Sequence, residues 1–152
     1  MSYDLKEAAK HVVHDYAFLV SAGHDTQNPL PFPFHHYAER TFLVHCRAFA
    51  GFFGNGTDSR DMYARDFVNG NSATTLAAWD AWHKHIDQHL AHLTRARITN
   101  TRSWTGKDNK AILDGFQQTW REFYKILEPS LKPAFDAQID ARQKEFPNVP
   151  LR

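Results

Sequence analysis

Ten histidines in a chain of 152 residues make histidine chemistry the first possibility to weigh. Four of them cluster at His83, His85, His89 and His92. On a helix, His85, His89 and His92 lie along one edge of the apolar face, where neutral imidazoles can share a metal ion. Such histidines are more often packing or surface residues. We keep as the alternative a zinc, nickel or iron enzyme with the ligands His45, His85, His89 and His92.

Other cofactor motifs are absent from the sequence. A carboxylate-bridged di-iron site uses Glu-x-x-His pairs, and none of the five glutamates has a histidine three residues later. HExxH, the Walker pattern and GxGxxG are also missing. Cys46 is the only cysteine, which excludes an internal disulfide and a cysteine-based zinc site and favours a reducing, cytoplasmic location. We therefore expect no resident cofactor, unless the histidine cluster binds a metal ion.

Arginine and histidine also recur together in two places, which indicates chemistry on phosphates. An arginine offers a rigid fork to a phosphate, and a histidine exchanges a proton near neutral pH. Together they suit metal-free cleavage of RNA through its 2′-hydroxyl. The predicted catalytic residues are Arg40, His45 and Arg47. The predicted substrate-binding residues are His92, Thr94, Arg95 and Arg97.

Both groups also have a structural interpretation. Arginines near the end of a helix stabilise its dipole and cap free carbonyls. His45 could equally be a core histidine bonded to a neighbouring helix. Arg40 points about 140° away from His45 on a helix, so a second subunit would have to complete a site built on that pair. Cys46 is turned about 100° from His45 and is predicted to be a packing thiol.

Hydrophobic spacing predicts helices to position these residues, and no segment is typical of a strand. The expected fold is an all-α, up-and-down bundle of four or five helices, forming a single domain over 1–152. Gly23 is expected to be the C-cap of the first helix, and three prolines to stiffen the loop over 24–34. The tail over 146–152 is expected to fray. The predicted helices cover 4–22, 35–53, 58–67, 74–98, 108–128 and 130–145.

The second helix carries the Arg40 to His45 pair, so the orientation of its apolar face matters most. His45 is predicted at the centre of a stripe formed by Phe34, Ala38, Thr41, Phe42, His45, Ala48, Phe49 and Phe52. Leu43 and Ala50 fall on the other side, which motivates a two-fold homodimer through this helix. The predicted core is Phe42, Phe49, Phe52, Trp79, Trp82, Ile86, Leu90, Phe116, Trp120 and Phe123.

Composition narrows the class of protein. Hydrophobic residues make up 42% and charged residues 23%, values typical of a packed domain. A net charge of +1 argues against nucleic-acid binding by bulk positive charge, although the segment over 95–110 has a local basic excess. The start of the chain lacks the apolar core of a signal peptide, and no apolar run approaches the roughly 18 residues that span a membrane. We expect no membrane association.

Several short stretches resemble helical bacterial proteins of the HEPN superfamily. They are ERTFLVHCR at 39–47, DMYARDF at 61–67 and IDQHLAHLT at 86–94, with Arg97 and Trp104. The resemblance implies a helical bundle linked to RNA or defence biology. It also implies a metal-independent ribonuclease that joins two Arg-x4-6-His motifs in a dimer, or a degenerate relative that binds RNA or a protein partner. Arg40 to His45 fits that spacing, but the pair lies on the second helix, whereas the superfamily motif usually lies late in the bundle. The polar residue that commonly follows the arginine is here Thr41. The alternatives are the histidine-dependent metalloenzyme and a non-catalytic interaction module.

Overall fold

The computed structural model describes residues 4–28, 30–54, 56–68 and 106–152. These ranges contain four α-helices, which confirms the all-α prediction, and their only β-type pairing is a single bridge between Val68 and Leu127. The predicted helix over 74–98 and the histidine cluster on it lie outside the described ranges. The helices are α1 (Leu5–Asp25), α2 (Phe34–Phe53), α3 (Gly106–Ile126) and α4 (Lys132–Glu145), with a 3₁₀ helix at Ala64–Phe67.

Helix α1 begins where the sequence predicts, because the Asp4 side chain accepts a hydrogen bond from the Lys6 backbone N–H at 2.9 Å. It ends later than predicted, at Asp25. Gly23 is therefore not a C-cap but a buried residue of the last turn. A Cβ atom there would lie 2.9 Å from side-chain atoms of both Phe42 and Leu113. Glycine at this position lets α1, α2 and α3 approach one another closely.

The buried face of α2 is rotated from the predicted stripe. Phe34 and Thr41 are exposed and His45 is half-buried, whereas Cys46 is completely buried at the centre of the face. The predicted centre was thus wrong by about 100° around the helix. The Cys46 thiol is a packing group, as predicted, and burial raises its pKa well above the usual value.

The same rotation removes the reason for predicting a homodimer through α2. Leu43 is 0% and Ala50 is 7% exposed, and both belong to the core of the single chain. The two residues therefore have no apolar surface left to offer a second subunit.

Helix α1 is the central element of the described fold, because it packs against α2, α3 and α4. One continuous hydrophobic core joins all four helices and the 3₁₀ helix. Tyr16 of α1 stacks on Trp120 of α3 with ring centroids 4.0 Å apart. Six predicted core residues are confirmed as buried: Phe42, Phe49, Phe52, Phe116, Trp120 and Phe123. The other four, Trp79, Trp82, Ile86 and Leu90, lie outside the described ranges.

The segment between α2 and the 3₁₀ helix is more irregular than predicted. Only Ala64–Phe67 of the expected helix over 58–67 is helical. The Asp58 side chain instead accepts a hydrogen bond from the Arg60 backbone N–H, and the Tyr63 hydroxyl accepts one from the Asp58 backbone. These local bonds compete with a helix and hold the segment as a turn.

The C-terminal tail packs against the core, which contradicts the expected fraying. Leu151 is 0% and Val149 is 9% exposed. The Gln143 side chain donates hydrogen bonds to the carbonyls of Phe146 and Val149, and its amide oxygen accepts one from the Leu151 backbone N–H. The sequence PNVPLR is thus fixed by two apolar anchors and one glutamine. Among the described helices, none combines the length and apolar character needed to cross a bilayer.

Candidate functional site

A cleft of about 360 Å³ opens between α1, α2 and the segment that follows α2. Its floor is apolar, and polar side chains from three parts of the chain surround it. Helices α1 and α2 run antiparallel, so positions 11–15 of α1 face positions 47–52 of α2. The residues that line the cleft are His11, Val12, Asp15, Arg47, Ala48, Phe49, Gly51, Phe52, Asp61 and Met62.

His45 lies at one end of this cleft, next to Asp15. Its Nδ1 atom is 4.0 Å from Asp15 Oδ1, which is an ion-pair distance when the imidazole is protonated and too long for a direct hydrogen bond. The ring of Phe18 stacks on the imidazole with centroids 5.8 Å apart. The side chain keeps 21% of its exposure, so it is held in place but still reachable.

Burial and two neighbouring side chains set the pKa of His45. Burial is the largest influence and lowers the pKa below its usual value of 6.5. The carboxylate of Asp15 opposes this shift, and His14 adds to it by repulsion. The net effect keeps the imidazole neutral at pH 7, which is the form that accepts a proton.

Arg47 provides the guanidinium of the cleft. It lies on the exposed side of α2 and faces a space that is also lined by Asp15 and Asp61. His11, one turn before Asp15 on α1, is exposed at the same cleft. The site therefore combines one fixed cation, two carboxylates and an accessible histidine, with His45 at its end. Such a set can bind an anion and transfer protons.

The structure separates the two residues of the predicted Arg40 to His45 pair. Arg40 is exposed and does not line the cleft, whereas His45 faces α1. The closest charged neighbour of His45 that the structure records is Asp15. Arg47 thus lines the cleft and His45 lies beside Asp15 of its lining, whereas Arg40 is left on the outer surface of α2.

Sequence reasoning missed His11 and Asp15. Both lie on α1, four residues apart, so they share one flank of the helix beside its apolar stripe. That spacing was visible in the sequence. The spacing does not show how α1 aligns with α2, and it is this alignment that places Asp15 next to His45.

The remaining predicted site residues lie outside the described part of the chain: His85, His89, His92, Thr94, Arg95 and Arg97. Of the predicted metal ligands, only His45 lies in the described ranges. Within those ranges, no three histidine, cysteine or acidic side chains are grouped as metal ligands. The metalloenzyme alternative stays a prediction.

A second cavity, of about 200 Å³, lies between α3, α4 and the tail. Its walls are apolar, with Trp120, Ile139 and Leu151 among them. At its edge Tyr124 donates a 2.6 Å hydrogen bond to Asp136, and its pKa rises to about 12 because of burial and that bond. The phenol is therefore neutral at physiological pH, and this cavity holds no proton acceptor comparable with His45.

Similarity to known proteins gives no information about the function of this cleft. No family model, curated protein or solved structure matches the chain. The resemblance to the HEPN superfamily therefore stays a prediction, and the cleft between α1 and α2 is the feature from which a function can be inferred.

Proposed function

We propose that this chain is a HEPN-like helical protein of the cytoplasm that cleaves RNA without a metal ion, with the α1–α2 cleft as its active site. The observation that carries the proposal is the position of His45 beside Asp15, at the end of a cleft that contains Arg47. A neutral imidazole with a carboxylate nearby can serve as a general base for transesterification of RNA, and a guanidinium can stabilise the charge that develops on the phosphate.

In the proposed reaction His45 is the general base. It takes the proton of the 2′-hydroxyl while the 2′ oxygen forms a bond to phosphorus. Its lowered pKa leaves it unprotonated at neutral pH, and the nearby Asp15 carboxylate stabilises the imidazolium that results. Asp15 thus acts on His45 through its charge, since the 4.0 Å distance between them leaves no direct hydrogen bond to orient the ring.

Arg47 and His11 complete the proposed reaction. The guanidinium of Arg47 binds the phosphate and stabilises the negative charge that develops on it. The bond from phosphorus to the 5′ oxygen breaks, and His11 gives that oxygen a proton. The products are a 2′,3′-cyclic phosphate and a 5′-hydroxyl end, and no step requires a metal ion.

Cleavage of a labelled single-stranded RNA in the presence of EDTA tests this proposal. We expect cleavage by the intact chain and a loss of about a hundredfold or more in His45→Ala, the usual contribution of a general base. Arg60→Ala is the matched surface control, because Arg60 is exposed and paired only locally with Asp58. Activity that needs an added divalent ion, or that survives in His45→Ala, would refute the proposed mechanism.

A non-catalytic relative that binds RNA or a protein partner is the second candidate. One observation favours the protein-binding form of this candidate: Asp15 and Asp61 place two carboxylates in the cleft beside Arg47, and carboxylates repel the phosphates of RNA. Binding of RNA with no cyclic phosphate product would identify this candidate. The proposed site uses one chain, so a homodimer is not required for it.

A further inference from the structure

The apolar cavity between α3, α4 and the tail has no part in the proposed nuclease site. It shares no lining residue with the α1–α2 cleft. Its walls include Trp120, Ile139 and Leu151, each at most 1% exposed. Side chains around a cavity of about 200 Å³ forgo contacts that a fully packed core would make. An apolar guest would supply those contacts.

The volume and the walls limit what this guest can be. A dry apolar cavity of roughly 150 Å³ holds a molecule of the size of benzene. The cavity of about 200 Å³ therefore admits one six-membered ring with a short chain attached. A water molecule needs two to four polar partners, and the walls are almost entirely apolar. An organic ring or a short alkyl chain suits them better than water does.

Basic side chains surround the mouth of the cavity. Arg121, Lys125 and Arg152 all line it and are exposed. Arg152 is paired with Asp140 at 2.5 Å and lies 3.8 Å from Asp136. Among the described residues, no carboxylate lies within ion-pair distance of Arg121 or Lys125. Two cations at the mouth are thus left without a counter-ion.

The surroundings of these two cations do not supply one. Glu122, the acidic residue next to Arg121 in α3, accepts a 2.7 Å hydrogen bond from Gln118 instead. A further cation, the Lys132 ammonium, lies 5.7 Å from the centre of the Tyr124 ring, which also lines the cavity. The mouth therefore has an excess of positive charge.

Helix geometry brings the two unpaired cations together. Arg121 and Lys125 are four residues apart in α3, so their Cβ atoms are about 6 Å apart and their like charges repel. The dipole of α3 accounts for a lysine in its last turn, but its effect does not extend to Arg121, one turn earlier. An anion between the two side chains would relieve their repulsion.

We propose that this cavity binds a small carboxylic acid with an apolar body of about one phenyl ring and a short chain. The body lies against Trp120, Ile139 and Leu151, and the carboxylate lies between Arg121 and Lys125. Arginine offers two parallel N–H donors to a carboxylate, and lysine adds a point charge. The charged group stays at the exposed mouth, so it is not fully desolvated, while the body leaves water.

Calorimetric titration of the full chain with three probes tests the two halves of this ligand. We expect 3-phenylpropanoate to bind with a Kd of about 1 mM or tighter, as its size allows. Its neutral amide should bind about tenfold more weakly, because it lacks the charge-assisted hydrogen bonds. Acetate should show no saturation, because it has no apolar body to bury.

Variants at the mouth test where the carboxylate lies. The double variant Arg121→Gln/Lys125→Gln should weaken binding of the acid about tenfold and leave binding of the amide unchanged. Both side chains are exposed, so the double variant should fold normally. Lys110→Gln is the matched control, because Lys110 is an exposed lysine of the same helix that pairs with Asp114 away from the cavity. It should bind both probes like the intact chain.

NMR titration with 3-phenylpropanoate locates the site. The indole signal of Trp120, the methyl signals of Ile139 and the amide signal of Leu151 should shift, and those of Val12 and Phe49 in the α1–α2 cleft should not. Absence of binding at about 10 mM acid would overturn the proposal. Equal affinities for acid and amide, an equal loss of both in the double variant, or shifts confined to the α1–α2 cleft would also overturn it. RNA cleavage does not enter any of these measurements, so they stand or fall separately from the proposed nuclease.

Discussion

At the scale of single residues, the charge state of His45 depends on opposing neighbours. Burial and His14 lower its pKa, and Asp15 raises it. Because the folded-state pKa is lower than the unfolded value of about 6.5, the folded chain binds the proton less well. Above about pH 6.5, His45 therefore has no effect on how the free energy of unfolding depends on pH. Below that pH the unfolded chain binds the proton more readily than the folded chain, so the free energy of unfolding decreases.

The first prediction concerns Asp15→Asn. Removal of the carboxylate leaves burial and His14, both of which lower the pKa of His45 further. We expect the imidazole titration in NMR, and the acid limb of any RNA cleavage, to move to lower pH. Asp61→Asn is the control, since Asp61 lines the cleft but does not contribute to the His45 shift that the structure records. A titration that moves to higher pH would contradict the pairing of Asp15 with His45.

Residue types and spacing predicted part of this site. His45 and Arg47 were chosen because an imidazole and a guanidinium suit chemistry on phosphates, and both reach the cleft or its end. Arg40 was chosen on spacing along one helix, which says nothing about which neighbouring helix each side chain meets. Asp15 acquires its role only from the packing of α1 on α2, a tertiary contact that no single-helix pattern contains.

At the scale of elements, α2 illustrates a limit of hydrophobic periodicity. Its twenty residues carry apolar side chains on most of the circumference, so two different faces satisfy the helical period. The stripe through His45 was predicted, and the face through Cys46 is the buried one. Helix α3 has a single clean stripe, and there the predicted core residues Phe116, Trp120 and Phe123 are all buried.

The second prediction compares two glycines, Gly23 of α1 and Gly51 of α2. Gly23→Ala should destabilise the protein by about 1–3 kcal/mol, because the added methyl group meets Phe42 and Leu113 in a packed core. Gly51→Ala should instead stabilise it by roughly 0.5–1 kcal/mol, since Gly51 is helical and nothing lies within 4 Å of the new Cβ. Chemical denaturation measures both changes. If Gly23→Ala behaved like Gly51→Ala, the close approach of three helices at Gly23 would be disproved.

At the scale of the whole molecule, one core unites segments that are distant in sequence. The ring of Tyr16 stacks on that of Trp120, so the first and third helices share an aromatic layer. The final residues close the same core, because Leu151 is completely buried. Fraying was expected from the position and prolines of the tail. Anchoring of the tail depends on the half-buried Gln143, and the hydrogen bonds between its amide and the tail backbone could not be inferred from the helical pattern.

The last prediction tests whether the tail is a structural part of the core. Leu151→Ala should lower the free energy of unfolding by about 2–5 kcal/mol, the cost of removing a fully buried leucine side chain. Arg152→Ala is the matched control one residue later. Its ion pairs with Asp136 and Asp140 are largely exposed, so we expect a change of about 0–1 kcal/mol. Gln143→Ala should destabilise in the same direction as Leu151→Ala, because it releases the carbonyl of Val149 and the N–H of Leu151 together. Equal, small effects of Leu151→Ala and Arg152→Ala in urea denaturation would mean that the tail is frayed, as the sequence had suggested.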